Sequence, residues 1–136
     1  MGESYFITIT GTTHYYGMKP FEINRILLLV KEPDNEYDAE AIRAELPYIG
    51  KVGYVANSPS TMAKGTMSAG RLYDRIGNYA YAQVLFVTQT KAICLVILPE
   101  ELEMVKEGSL EGQVDKEQAD LRKENILAQF RSLLKY

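Results

Sequence analysis

Apolar residues in this chain come in short blocks that alternate with polar ones, and turn-forming residues separate the blocks. Residues 4–10, Ser-Tyr-Phe-Ile-Thr-Ile-Thr, alternate and are rich in β-branched and aromatic types, which predicts a strand. A loop with a glycine at each end, Gly11 and Gly17, follows. Residues 21–30 read as a longer strand whose buried part is Ile26-Leu27-Leu28-Leu29-Val30. A turn rich in Pro, Asp and Asn leads into a third strand at residues 41–46. Pro47-Tyr48-Ile49-Gly50 then turns the chain into a fourth, residues 51–55. Residues 81–88 and 91–98 are a predicted hairpin with its tight connection at Gln89-Thr90.

The helical signals are fewer. Asn57 or Ser58 is the expected cap of a helix that starts with Pro59 in its first turn, runs through Met62 and Ala63 to Ala69, and ends at Gly70. Residues 71–76 fit either a short strand or a helical turn. After Pro99, residues 100–105 suggest a helical turn and residues 108–112 a linker. Ala119, Ile126, Leu127, Phe130, Leu133 and Leu134 carry helical spacing across residues 116–134. The expected architecture is mainly β: a small antiparallel barrel of about six strands with two short helices. It occupies residues 1–99, and residues 100–136 form an acidic linker and a C-terminal amphipathic helix.

A chain of 136 residues fits one domain with a sizeable core. No apolar run approaches the roughly 18 residues of a membrane helix, and the first residues lack the pattern of a signal peptide. No membrane partner is expected. The single Cys94 lies in an apolar strand, where a thiol behaves as a small hydrophobe, and a reducing, cytoplasmic setting is the natural expectation. The formal net charge of −3 is confined to the tail, because residues 1–99 balance nine acids with nine bases. This argues against bulk attraction to nucleic acid or anionic membrane, so a nucleic-acid site must be local, weak towards non-specific strands and salt-sensitive.

Catalytic chemistry finds little support. One His and one Cys, far apart, cannot supply a zinc site. The acidic run Asp34, Glu36, Asp38 and Glu40 lacks the glycine and distal glutamate of a calcium-binding loop. There is no nucleophile elbow, and Ala63-Lys64-Gly65-Thr66 lacks the upstream glycine of a phosphate-binding loop. A binding protein without metal or cofactor is expected, not an enzyme. Tyrosine is the unusual residue: ten Tyr stand against four Phe and no Trp. Tyr15, Tyr16, Tyr37, Tyr48 and Tyr54 fall in or beside loops and strand ends. They suit either of two roles, capping the barrel with hydroxyls towards solvent or forming a base-stacking platform. Tyr37 and Asp38 set an aromatic face beside a carboxylate at the mouth of the third strand, an arrangement better suited to binding than to a core.

Three segments together carry a resemblance: Gly11-Thr-Thr-His-Tyr-Tyr-Gly17, Lys31-Glu-Pro-Asp-Asn-Glu-Tyr-Asp-Ala-Glu-Ala-Ile42 and Gly50-Lys-Val-Gly-Tyr-Val55. This set resembles the HIRAN domain over roughly residues 4–98. The resemblance implies a modified OB-type barrel that captures the free 3′-hydroxyl end of single-stranded DNA in repair or replication. Members stand alone or are joined to DNA-remodelling ATPases and nucleases, so such an ATPase or nuclease is an implied partner. By position, Tyr15 would form one wall, Tyr37 would stack on the terminal base, and Asp38 would accept a hydrogen bond from the 3′-hydroxyl. Tyr16 and Tyr54 would support the walls, although closure of the core fits Tyr54 equally well. His14 stands where the characterised eukaryotic module carries Arg, and Asn57 stands near a position that is often basic, so binding weaker than that module's is expected. Lys19, Lys51 and Lys64 are candidate phosphate contacts, with an ordinary solvated surface as the competing reading. The alternative function is a protein-interaction or adaptor module without DNA contact, in which the C-terminal helix docks on a partner or pairs with a second copy.

Overall fold

A computed structural model describes residues 4–101. Its six strands are β1 (Phe6–Thr10), β2 (Ile26–Lys31), β3 (Ile42–Leu46), β4 (Gly50–Val55), β5 (Tyr79–Val87) and β6 (Ala92–Ile97). They close into an antiparallel barrel in the order β1-β4-β3-β2-β5-β6, with β6 returning to pair with β1. A 3₁₀ turn (Thr12–His14) follows β1, and one short helix, α1 (Ala69–Tyr73), precedes β5.

Alternation along the strands sends one side chain in two to the interior. Leu27 and Leu29 of β2 face Ala82 and Ala80 of β5 in register, and Ile9 of β1 faces Ala92 of β6. Large residues thus oppose small ones, which lets a narrow barrel fill without overlap. All six of these residues are fully buried, as are Ile7, Val52 and Cys94. Burial pushes the Cys94 thiol up to about 12. Gly53 permits the tightest approach in the barrel: a Cβ there would lie 2.8 Å from Ile9 Cγ2 and 2.9 Å from the Thr10 carbonyl.

Three expectations need correction. The strand predicted from residue 21 begins only at Ile26, because Asn24 adopts φ 73° and Arg25 closes a turn onto the Glu22 carbonyl. Phe21 still reaches the core, but from a loop. The helix predicted from Asn57 or Ser58 to Ala69 does not form. Ser58 starts a turn, and the chain then runs alongside β1: the Ala63 amide donates to Thr8 Oγ1, and the Met67 amide donates to the Phe6 carbonyl. These tertiary bonds outweigh the local cap signal. The true helix cap is Ser68, whose hydroxyl accepts from the Arg71 amide. Gly70, expected to end a helix, lies inside α1. A Cβ at that position would come within 2.8 Å of Glu40 Oε1 and 3.3 Å of Asn57 Oδ1, so the glycine admits neighbouring side chains.

The chain is helical again at residues 99–101, where the described residues end. The amphipathic helix expected over residues 116–134, with the adaptor and self-pairing roles attached to it, lies outside the described residues. Among the described residues no helix is long and apolar enough to cross a membrane.

Candidate functional site

Two loops flank the outer surface of β3 and β4. The first follows β1. Gly11 and Gly17 take the left-handed conformation, at φ 71° and 64°, which lets the chain fold tightly into the 3₁₀ turn between them. The Gly17 amide donates back to the Thr12 carbonyl at 2.9 Å and closes the loop. The turn packs on β4. Tyr15 therefore lies over Tyr54, with ring centroids 6.5 Å apart. His14 meets the Tyr15 ring edge-on, also at 6.5 Å. Tyr16 reaches the β3–β4 turn, where its hydroxyl donates to the Ile49 carbonyl at 3.3 Å.

The second loop, residues 32–41, is held by two side chains that mimic backbone turns. Asn35 Oδ1 accepts from the amides of Tyr37 (2.8 Å) and Asp38 (3.0 Å). Asp38 Oδ1 accepts from the Glu40 amide at 2.9 Å. Asp38 Oδ2 accepts from Asn57 Nδ2 at 2.7 Å, and Asn57 Oδ1 accepts from the Gly70 amide at 2.8 Å. Asn57, expected near phosphate, thus has its amide group turned to Asp38 and α1. The Asp38 carboxylate is fixed in orientation, and each oxygen keeps a second lone pair. The Tyr37 side chain takes no part in this bonding and stands 92% exposed.

A charged network joins the two loops. Glu32 Oε1 accepts from Asn35 Nδ2 at 2.9 Å and from the Tyr54 hydroxyl at 2.8 Å. Lys51 Nζ donates to the Tyr54 hydroxyl at 2.7 Å and lies 3.3 Å from Glu32 Oε2. It also sits over two rings, 4.9 Å from the centroid of Tyr54 and 5.9 Å from that of Tyr15. Arg43 Nε donates to Glu45 Oε2 at 2.6 Å, and its Nη1 lies 3.5 Å from Glu32 Oε2. Burial pushes the Glu32 carboxyl up. The hydrogen bonds from Asn35, Tyr54 and Lys51, with the Lys51 charge, outweigh that and hold it below its ordinary value. Lys51 is raised, first by its bond to Tyr54 and then by Glu32, against an opposing effect of burial. Tyr54 is raised by burial and by the Glu32 anion.

The structure thus brings Tyr15, Tyr54, Lys51 and His14 together and links them through Glu32 and Asn35 to the backbone that carries Tyr37 and Asp38. Tyr16 stands beside this group on the β3–β4 turn. Lys19 and Lys64 are exposed in the turns at residues 15–20 and 64–65 and join none of these contacts. Glu32 and Asn35 receive no role from the sequence pattern, although Asn35 stands three residues before Asp38, the spacing of a side chain that caps a turn. Among the described residues no cluster of His, Cys, Asp and Glu could hold a metal ion.

The HIRAN domain family model matches residues 2–76, which takes in β1–β4, α1 and every candidate site residue. No curated protein matches the chain. Among solved structures, the chain is similar to the crystal structure of the HIRAN domain of human HLTF. That match has TM-score 0.50 and 18% identity, covering 76% of this chain and 84% of that one. A structural-genomics protein from Lactobacillus plantarum matches with TM-score 0.47 and 19% identity, over 71% of this chain and 97% of that one. At such identities the HLTF likeness speaks for the shared fold, while the family model spans more than half of the sequence: the chain belongs to the HIRAN domain family.

Proposed function

We propose that this chain is a nucleic-acid-binding module that captures 3′-hydroxyl ends of single-stranded DNA, without catalysis, in repair or replication. The observation that carries the reading is the pairing of an exposed Tyr37 ring with an adjacent carboxylate that is fixed by two donors. An exposed Tyr on a loop locked by Asn35 is a platform whose backbone needs no further ordering when a base stacks on it. Such a stack is worth about 1–3 kcal/mol and tolerates any base. Asp38 supplies the end selectivity. A carboxylate repels phosphate and accepts a hydrogen bond from a hydroxyl, so it favours a strand that has ended. Tyr15, backed by Tyr54 and Lys51, offers the second aromatic surface, and His14 and Tyr16 border it.

The neutral balance of charge over residues 1–99 supports local recognition over long-range attraction. A DNA-processing ATPase or nuclease that generates or consumes such ends is the class of partner this activity suits. Fluorescence anisotropy with oligonucleotides that differ only at the 3′ terminus tests the reading. The 3′-hydroxyl form should bind several-fold more tightly than the 3′-phosphate form, and equal affinities would remove the end-capture role.

A further inference from the structure

The cations of the site point to a selectivity device that the end-capture reading does not itself require. Lys51 and Arg43 are the two basic residues of the network, and each is already paired with a carboxylate. Lys51 lies 3.3 Å from Glu32, and Arg43 lies 2.6 Å from Glu45 and 3.5 Å from Glu32. The acids are the better protected partners: the side chains of Glu32 and Glu45 are 13% exposed, those of Lys51 and Arg43 34% and 31%. Glu32 cannot swing aside cheaply, because Asn35 and Tyr54 both donate to its other oxygen. Two cations and two anions leave the network neutral, and Asp38 makes the surroundings anionic. A groove built to follow a phosphate backbone has the opposite balance.

We propose that Glu32 acts as an internal stand-in for phosphate: it occupies Lys51 and Arg43, suppresses binding to the DNA backbone, and leaves selection to the strand terminus. Glu32 is a positioning residue that touches no ligand. A phosphate approaching Lys51 finds the ammonium already engaged by Tyr54 and Glu32, and it must either displace Glu32 or sit beside that anion. The cation is instead held over the Tyr15 and Tyr54 rings, where it braces the stacking surface. The selectivity part of this inference rests on the nucleic-acid reading above, and suppression of backbone binding is measurable apart from it.

The test compares the full chain with Glu32→Gln, which keeps an acceptor for Asn35 and Tyr54 and removes the charge. The probes are a closed circular single strand, which has no end, and linear strands ending in 3′-hydroxyl or 3′-phosphate. E32Q should bind the circle and the 3′-phosphate strand about two- to fivefold more tightly, the worth of one freed surface ion pair. Its slope of log Kd against log salt should steepen by about 0.7, one counterion per phosphate engaged. The gain should vanish in E32Q/K51Q, an outcome that general loosening of the loop would not produce. No gain towards the circle would overturn the inference. The wild-type preference between the two linear ends is read separately: its absence sinks end capture while the circle still judges Glu32. Should thermal melting show that E32Q fails to fold, the wild-type salt slope decides. A slope below about 1.4 supports restrained cations, and one at or above it, two phosphates engaged, overturns the proposal.

Discussion

Ile7, Ile9, Leu27, Leu29 and Val52 fill the barrel interior beside small Ala80, Ala82 and Ala92, with no charge among them. The surface over β3, β4 and the 32–41 loop is built the other way. Glu32, Arg43, Glu45 and Lys51 bond to one another, and Tyr37 is left bare. The interior gains stability from area removed from water, and its one thiol, Cys94, is sealed from solvent. The rim uses hydrogen bonds to hold side chains in place, and most of those bonds contribute little to net stability because they remain near solvent. The difference teaches that the residues that hold the fold are distinct from those proposed to bind. Gly53 and Gly70 mark where the two regions meet, as each lets a neighbouring element approach closely enough to seat the rim.

The sharpest way to break that comparison is a pair of truncations. Leu29→Ala should cost about 2–5 kcal/mol of folding stability through lost burial and a cavity, read by chemical denaturation. Its folded fraction should bind DNA as the wild type does. Tyr37→Ala should show the reverse: a binding loss of about 1–3 kcal/mol by anisotropy, with the denaturation midpoint essentially unmoved. If Tyr37→Ala destabilised the fold as much as Leu29→Ala, the two regions would not be separable.

Smaller effects sharpen the contrast. The folded protein holds Glu32 below its ordinary pKa of 4.5. Its contribution to stability is therefore present above about 4.5, the unfolded value, and is lost as pH falls through the lower folded value. Denaturation curves across that acid range should show a wild-type decline that flattens in Glu32→Gln, and identical declines would dissociate Glu32 from the network. The smallest expected effect is none at all. Cys94 is fully buried with its thiol pushed up to about 12. A thiol-specific reagent near neutral pH should leave it unmodified until denaturant is added. Rapid labelling of the native protein would contradict the closed interior.

The barrel was legible because alternation and register agree: Leu27 and Leu29 are buried where period two places them, and the hairpin of β5 and β6 turns at Gln89-Thr90 as its residues suggest. The helix was misplaced because Ser58-Pro59 imitates a helix start. Contacts from Thr8 and Phe6, more than fifty positions away in sequence, decide the path of residues 63–67. Tyr37 and Asp38 could be singled out from their turn. The centre of the network could not. Glu32 bonds to Lys51 and Tyr54 across 19 and 22 positions, and only the pairing of β2 with β3 and of β3 with β4 brings them together. The contacts of Asn57 are hidden in the sequence for a related reason: its side chain bonds to Asp38 and to the Gly70 amide, 19 and 13 positions away.

The most direct test of the central claim is an amide NMR titration of the full chain with a short single strand ending in a 3′-hydroxyl. The largest shifts should fall on Tyr37, Asp38 and Glu40, with smaller ones on His14 and Tyr15, and Asp38→Asn should erase the difference between hydroxyl and phosphate ends. Shifts confined to other surfaces, with the 35–40 loop silent, would contradict it.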